Sequence, residues 1–329
     1  KFNREVIRSG KALGAEIRGV DLSQNLSQDE INDINKAWDE NLVLVFKNQN
    51  LNDPKLIEFS KHFGNLDLPA PNPFGINFSP KYPEINVISN VKKEGKPTGI
   101  LGDGEATWHS DMTYQDIPPK AGILYSLEVP KDQGDTHFAN MIAAYEDMPD
   151  ELKNKISDKI LIHDAAHNSA GQLRKGYQEV SDPSKTPGAR HPIVFTDPNT
   201  NKKTLFIGRR PHAYIVGLNI DESEKLLDQV WDFELESSPL LATNIGDPRG
   251  RQAKYRLSRL HTGQDLGTTV RVHRQPIAGH HFARGNQLAA ENKSVFVGLQ
   301  LEVITQAHCW NNKTHFLNKR PTHTGHPFQ

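Results

Sequence analysis

The sequence predicts a mainly β protein with flanking helices, a β-barrel or jelly roll in preference to a doubly wound sheet. Three observations carry this. Short runs rich in Val, Ile, Leu and Phe recur at close spacing with turn-forming residues between them. No alternation of strand and helix with a glycine fingerprint is present, and no internal repeat is visible. At 329 residues the chain can form one large domain, because a β core with helical additions fills that length as a single unit.

Taken in order, Ala15-Glu16-Ile17-Arg18-Gly19-Val20 alternates and ends in Asp21-Leu22-Ser23, a first strand followed by a turn. Ser27, with Glu30 three residues on, is a capping-box pattern, so a helix begins there and runs through Trp38. Residues 42–46 are a continuous apolar run, the mark of a strand buried on both faces. Residues 53–63 read as an amphipathic helix with Leu56, Phe59 and Phe63 inward, closed by Gly64. The Pro, Asn and Gly residues of 69–80 make a loop long enough to cover a site. Strands are expected at 85–89 and 121–127, the second after the Pro118-Pro119 break, and a tight turn at 133–136. A helix through Ala143, Tyr145 and Leu152 follows, then a second helical segment around 172–177. Residues 191–195 and 203–207 pair as a hairpin around 197–201. Asp221-Glu222-Ser223-Glu224 put acids at the start of a helix carrying Leu226, Leu227 and Trp231.

Composition narrows the chemistry. Formal net charge is −1, and neither a long apolar run nor a signal-peptide core is seen, which reads as a soluble, cytoplasmic protein. The one cysteine, Cys309, excludes an internal disulfide framework and a cysteine-based zinc cluster. A bound metal would therefore have nitrogen and oxygen ligands. The even balance hides an asymmetry: from Pro248 onward there are 12 Lys+Arg, 3 Asp+Glu and 8 of the 15 His, against 27 basic and 37 acidic residues before it. A nucleic-acid-binding tail would give this balance, and so would a stretch translated outside the native reading frame.

The candidate chemistry centres on Trp108-His109-Ser110-Asp111. If this stretch is a strand, His109 and Asp111 point to one face and present an imidazole and a carboxylate side by side. That pair plus one distant His would make a 2-His-1-carboxylate facial triad, which leaves one face of an Fe(II) ion open. The H-x-D pattern alone is common among ordinary surface residues. His163 and His167 have i, i+4 spacing, but with no third ligand and no H-E-x-x-H motif they read as structural or solvated.

Three stretches together, Trp108 to Tyr114, Gly134-Asp135-Thr136-His137-Phe138-Ala139-Asn140, and Gly14 to Leu22, resemble the taurine dioxygenase family of Fe(II)/2-oxoglutarate oxygenases. The resemblance runs from about Gly14 to Trp231, fades, and returns from Leu260 to Gly279. After Gly246-Asp247 the family has an apolar strand ending in W-D-N-R and then a His; here 248–259 is basic and polar and lacks that motif. His261 falls where the family's distal ligand would. Val270-Arg271-Val272-His273-Arg274, with Ile277-Ala278-Gly279, resembles the closing strand R-V-x-H-R-x-x-I-A-G, one residue short.

The resemblance implies a double-stranded β-helix, or jelly roll, with helices from the N-terminal part and from the insert after Thr136. It implies Fe(II) held by His109, Asp111 and His261, with His273 as the rival distal ligand. It also implies 2-oxoglutarate as cosubstrate, with Thr136 as its hydroxyl partner and Arg271 as the cation for its far carboxylate. Arg274 is then placed to hold an anionic substrate, and Arg209 and Arg210 either steer such an anion or are solvated charges on a turn. Trp108, Tyr114 and Phe138 read as core or pocket wall, and His137 as structural.

The expected function is Fe(II)- and 2-oxoglutarate-dependent hydroxylation of a small anionic molecule, with that molecule and O2 as partners and no membrane; a homo-oligomer is left open. The rivals are a non-catalytic relative with an incomplete metal site, and a nucleic-acid-binding protein using the basic tail, for which interleaved aromatics are lacking. Residues 1–279 are read as one oxygenase domain with an atypical stretch at 232–259. Residues 280–329 are read as a basic C-terminal extension with the composition of an out-of-frame stretch.

Overall fold

The computed structural model describes residues 4–89, 92–99, 109–127, 136–168, 172–197, 200–207, 213–237, 271–273, 294–299 and 303–307. The chain opens with strands β1 (Glu5–Arg8) and β2 (Ala15–Arg18), paired antiparallel. Helix α1 (Gln28–Asn41) starts at the capping box: the Ser27 side chain accepts from Glu30 N, and the Glu30 carboxylate accepts from Ser27 N at 2.6 Å. It continues one turn past the expected end at Trp38. Strand β3 (Val43–Lys47) follows at once, and Pro at the start of α2 (Asp53–Lys61) suits a helix whose first N–H groups have no partner within it.

Beyond these lie β4 (Asn86–Ile88), the two-residue pair β5 (Lys92–Lys93) and β6 (Lys96–Pro97), β7 (Ala121–Ser126) and β8 (Thr136–Asn140). The expected helix through Leu152 is two helices, α3 (Met141–Asp147) and α4 (Asp150–Ile156). Pro149 divides them. The ring of a proline pushes the preceding residue out of helical geometry, and Met148 has ψ of 140°.

Strand β9 (Ile160–Ile162) pairs with β10 (Arg190–Pro192), and the expected hairpin is present as β11 (Val194–Thr196) against β12 (Lys203–Leu205). The helical segment expected at 172–177 is not formed. Asn168 Oδ1 captures the N–H of Gln172, Leu173 bridges His167, and Gly176 takes φ of +93°, so local side-chain bonds and a left-handed glycine replace the helix. The chain then forms β13 (Tyr214–Ile215), α5 (Ile220–Ser237), β14 (Arg271–His273), β15 (Ser294–Leu299) and β16 (Val303–Ala307).

The largest sheet has seven strands in the order β1-β2-β3-β15-β7-β14-β4. It is mixed: β15 runs antiparallel to β3 and β7, while β14 is parallel to β7 and β4. Thus residues 294–299, read from the sequence as part of a C-terminal extension, form the strand between β3 and β7. Strand β16 pairs antiparallel with β8, and β9 lies between β10 and β13. The architecture is therefore mixed strands and helices, and among the described residues no sheet closes into a barrel.

Strand β3 is buried on both faces. Leu44 and Phe46 join Trp38, Phe59, Ile123 and Tyr125 in one core, while Val43 and Val45 join Leu13, Phe138 and Ile142 in another. A third core, around Met141, Ile156, Leu161, Ile193 and Leu227, belongs to the layer of β9 to β13 and α3 to α5. No helix among the described residues is long and apolar enough to cross a membrane.

Candidate metal centre

His109 occupies a single β-bridge position, and Asp111 is the first residue of a turn that runs through Tyr114. The two were expected on one strand or strand edge with their side chains converging on a common point; the side chains do converge, but Asp111 stands in a turn and not in a strand. Strand geometry, at about 3.3 Å rise per residue, would hold their Cβ atoms roughly 6.6 Å apart and parallel; the turn instead folds the carboxylate back toward the ring. Nε2 of His109 lies 3.4 Å from Oδ1 of Asp111, and both residues are buried, as are Ser110 and Thr113.

This separation suits two ligands of one ion. Two donors each about 2.1 Å from one ion can be no more than about 4.2 Å apart, and this pair falls within that limit. An imidazole nitrogen and a carboxylate oxygen form a donor set appropriate to a divalent non-haem metal. The pair fits the group that the sequence implies.

The turn is held from two sides. Gln115 N donates to Met112 O at 3.1 Å, and Met112, fully buried, takes φ of +47°, a left-handed conformation that costs a non-glycine residue about 1–2 kcal/mol. Ala189 N donates to Tyr114 O at 2.9 Å, and His191 Nε2 donates to Gln115 O at 2.8 Å. Because a carbonyl can only accept, that bond places a proton on Nε2 of His191. The Arg174 guanidinium stands 4.3 Å from the centre of the Tyr114 ring.

Three further histidines, His163, His167 and His191, lie in the layer behind the turn. His163, fully buried, stacks on Phe206 with ring centres 5.2 Å apart and meets His191 edge to face at the same distance. His167 Nδ1 lies 2.7 Å from Asp164 Oδ2 and its Nε2 lies 3.2 Å from Glu179 Oε2. These two histidines follow an extended strand, so their i, i+4 spacing is not that of one helix face.

Of the other expected site residues, Thr136 begins β8 opposite Ala307, and Arg271 begins β14 between Leu124 and Asn86. His273 is opposite Ser126 and Ile88 in the same strand. His261, Arg274, Trp108, Arg209 and Arg210 lie outside the described residues. Among the described residues, no group of three or more His, Cys, Asp or Glu is arranged to hold a metal. The sequence reading gave Arg174, Ala189 and His191 no part in the site: none lies in a functional motif, and their relation to 112–115 is made by packing.

The sequence model of taurine catabolism dioxygenase TauD, TfdA family, matches residues 5–236, which makes the protein an oxidoreductase of the dioxygenase class. Among curated relatives, the alpha-ketoglutarate-dependent 2,4-dichlorophenoxyacetate dioxygenase of Cupriavidus pinatubonensis is 30% identical over 227 residues, 66% of this chain and 77% of the relative. The (S)-phenoxypropionate/alpha-ketoglutarate-dioxygenase of Sphingobium herbicidovorans is 32% identical over 238 residues, 67% of this chain and 76% of the relative. The chain belongs to the TauD, TfdA family, whose dioxygenases use Fe(II) and 2-oxoglutarate (alpha-ketoglutarate). A crystal structure of a taurine dioxygenase from Burkholderia xenovorans shares the fold, with a TM-score of 0.58 and 21% identity over 93% of this chain and 82% of that one.

Proposed function

We propose that this protein hydroxylates a small anionic organic molecule at an Fe(II) centre held by His109, Asp111 and His261, with 2-oxoglutarate bound through Thr136 and Arg271. The observation that carries the reading is the buried His109–Asp111 pair, 3.4 Å apart, in a chain of this family. When bound, Fe(II) with 2-oxoglutarate supplies oxidative chemistry in which O2 is reduced and the 2-oxo acid becomes succinate and CO2. The chain's own residues do the rest. The imidazole and carboxylate present adjacent donors, and the carboxylate offsets one unit of the ion's charge. Burial of His109, Asp111 and Thr113 keeps bulk water from the ligand atoms.

Arg271 in β14 serves as the fork-shaped cation for the far carboxylate of 2-oxoglutarate, and Thr136 as its hydroxyl partner. Arg274 holds the anionic group of the substrate. Support for an anion comes from the two relatives, whose names specify a phenoxyacetate and a phenoxypropionate. The fold reading that accompanies this function is a jelly roll, with the seven-stranded sheet as one wall and the β8–β16 pair in the other. The described strands belong to one oxygenase domain.

The test is anaerobic Fe(II) titration followed by O2-dependent succinate release with a panel of aryloxy acids, sulfonates and sulfate esters. One Fe(II) per chain and stimulation of succinate release by at least one anion are expected. Stoichiometric iron with no turnover by any member of the panel would sink the catalytic reading and leave an iron-binding relative.

A further inference from the structure

The segment that follows the metal-site turn is clamped by a buried cation that the proposed chemistry does not use. Arg174 is 3% exposed. Its backbone N–H donates to Ala166 O at 2.7 Å, and its Nη1 donates to Ala165 O at 3.2 Å, so both ends of the residue are tied to one short stretch. That stretch is itself rigid: Asp164, fully buried, accepts from Ala166 N at 2.7 Å and lies 2.7 Å from His167 Nδ1. From this anchor the planar guanidinium covers the Tyr114 ring at 4.3 Å. Tyr114 is three residues past Asp111, in the same turn as the left-handed Met112. The side chain of the next residue, Lys175, lies beside Gly75 of the 69–80 loop.

We infer that Arg174 is a positioning residue that holds the Asp111 turn in its metal-binding conformation, an inference that rests on the metal-site reading above. A turn with a non-glycine residue at positive φ relaxes unless its surroundings over-determine it. Two of the bonds that restrain it, from Ala189 N and from His191 Nε2, act on backbone carbonyls beyond Met112. Arg174 adds the restraint on a side chain of the turn. Loss of the guanidinium removes the cation that packs on the Tyr114 ring, which loosens the turn, lets Met112 leave the left-handed region and moves the carboxylate away from Nε2 of His109. Groups that orient metal ligands without touching the ion commonly change affinity by about 10- to 100-fold.

The probe is Co(II) alone, added anaerobically to the full chain, read by its binding isotherm and its visible d–d spectrum. Arg174→Met is expected to weaken Co(II) binding about tenfold and to alter the spectrum. Tyr114→Leu should do the same, whereas Tyr114→Phe keeps the ring under the cation and should match the wild type. If Arg174→Met does not fold, the comparison of Tyr114→Leu with Tyr114→Phe decides. Folded Arg174→Met or Tyr114→Leu with the wild-type isotherm and spectrum, whatever its melting temperature, would overturn the inference while leaving the metal site intact. Absence of Co(II) binding by the wild type would instead overturn the metal-site reading, and the inference with it.

Discussion

Nε2 of His109 and Oδ1 of Asp111 stand 3.4 Å apart with one residue between them in sequence, a convergence made by a turn and not by a strand. The distance joins two donors into one half of a metal site. It also makes the site depend on whatever keeps the turn in place.

Asp111→Ala should abolish Fe(II) binding and leave the fold intact. The variant removes the carboxylate, and with it an attraction of roughly 4 kcal/mol per unit charge pair at 4 Å in an effective dielectric near 20. Anaerobic Fe(II) titration beside a circular-dichroism spectrum measures both halves; full iron affinity in a folded variant would refute the ligand assignment.

His261→Ala should cost iron binding and turnover together, whereas His273→Ala should leave a measurable iron site. His273 sits inside β14, between Ser126 of β7 and Ile88 of β4, so its loss is expected to lower stability more than metal affinity. The reverse pattern in the two titrations would make His273 the distal ligand.

Gly188→Ala should destabilise the protein by about 3 kcal/mol, from left-handed strain and overpacking combined. Gly188 has φ of +142°, and a Cβ there would lie 1.8 Å from the carbonyl oxygen of His163, a backbone atom that cannot swing aside. Since the next residue, Ala189, donates to Tyr114 O, metal affinity should fall as well. Thermal unfolding and Co(II) titration read the two effects, and an unchanged melting temperature would show that the β10 edge yields easily.

Glu30→Gln should cost about 1 kcal/mol near neutral pH, and that difference should disappear in acid. The Glu30 carboxylate accepts from the backbone N–H of Ser27, with further help from the Ser27 side chain and the charge of Arg4, and this holds its pKa below the usual glutamate value. A lowered carboxylate pKa contributes stability that is fully present above the unfolded value and is lost as pH falls through the folded one. Urea-unfolding midpoints of the two proteins should therefore differ at neutral pH and converge as the pH falls through the lowered folded-state pKa, below the ordinary glutamate range. A constant difference across the range would mean that the charge contributes nothing.

The parts of this protein that a reader could obtain from the sequence are those governed by neighbours within a few residues. The Ser27–Glu30 capping box, the two-sided burial of β3 and the hairpin of β11 with β12 each follow from local spacing, and each is present in the structure. The convergence of His109 and Asp111 was visible for the same reason, although the turn at Asp111 was not, because a period-2 pattern cannot distinguish a strand from a bridge that breaks into a turn. The helix expected at 172–177 failed where side-chain bonds from Asn168 outweighed periodicity.

Tertiary structure alone decided the relationships between distant segments. Residues 294–299 lie between β3 and β7, some 250 residues from one partner strand in sequence, and the apolar pattern of that segment does not say which strands it joins. The clamp of Arg174 on Tyr114, and the bonds from Ala189 and His191 to the site turn, likewise join segments with no shared motif. Periodicity and capping act along the chain, where a residue's neighbours are set by covalent connection. Sheet order and the docking of one turn on another depend on which buried surfaces complement each other after the chain has folded back, and no short window of sequence contains both sides of such a contact.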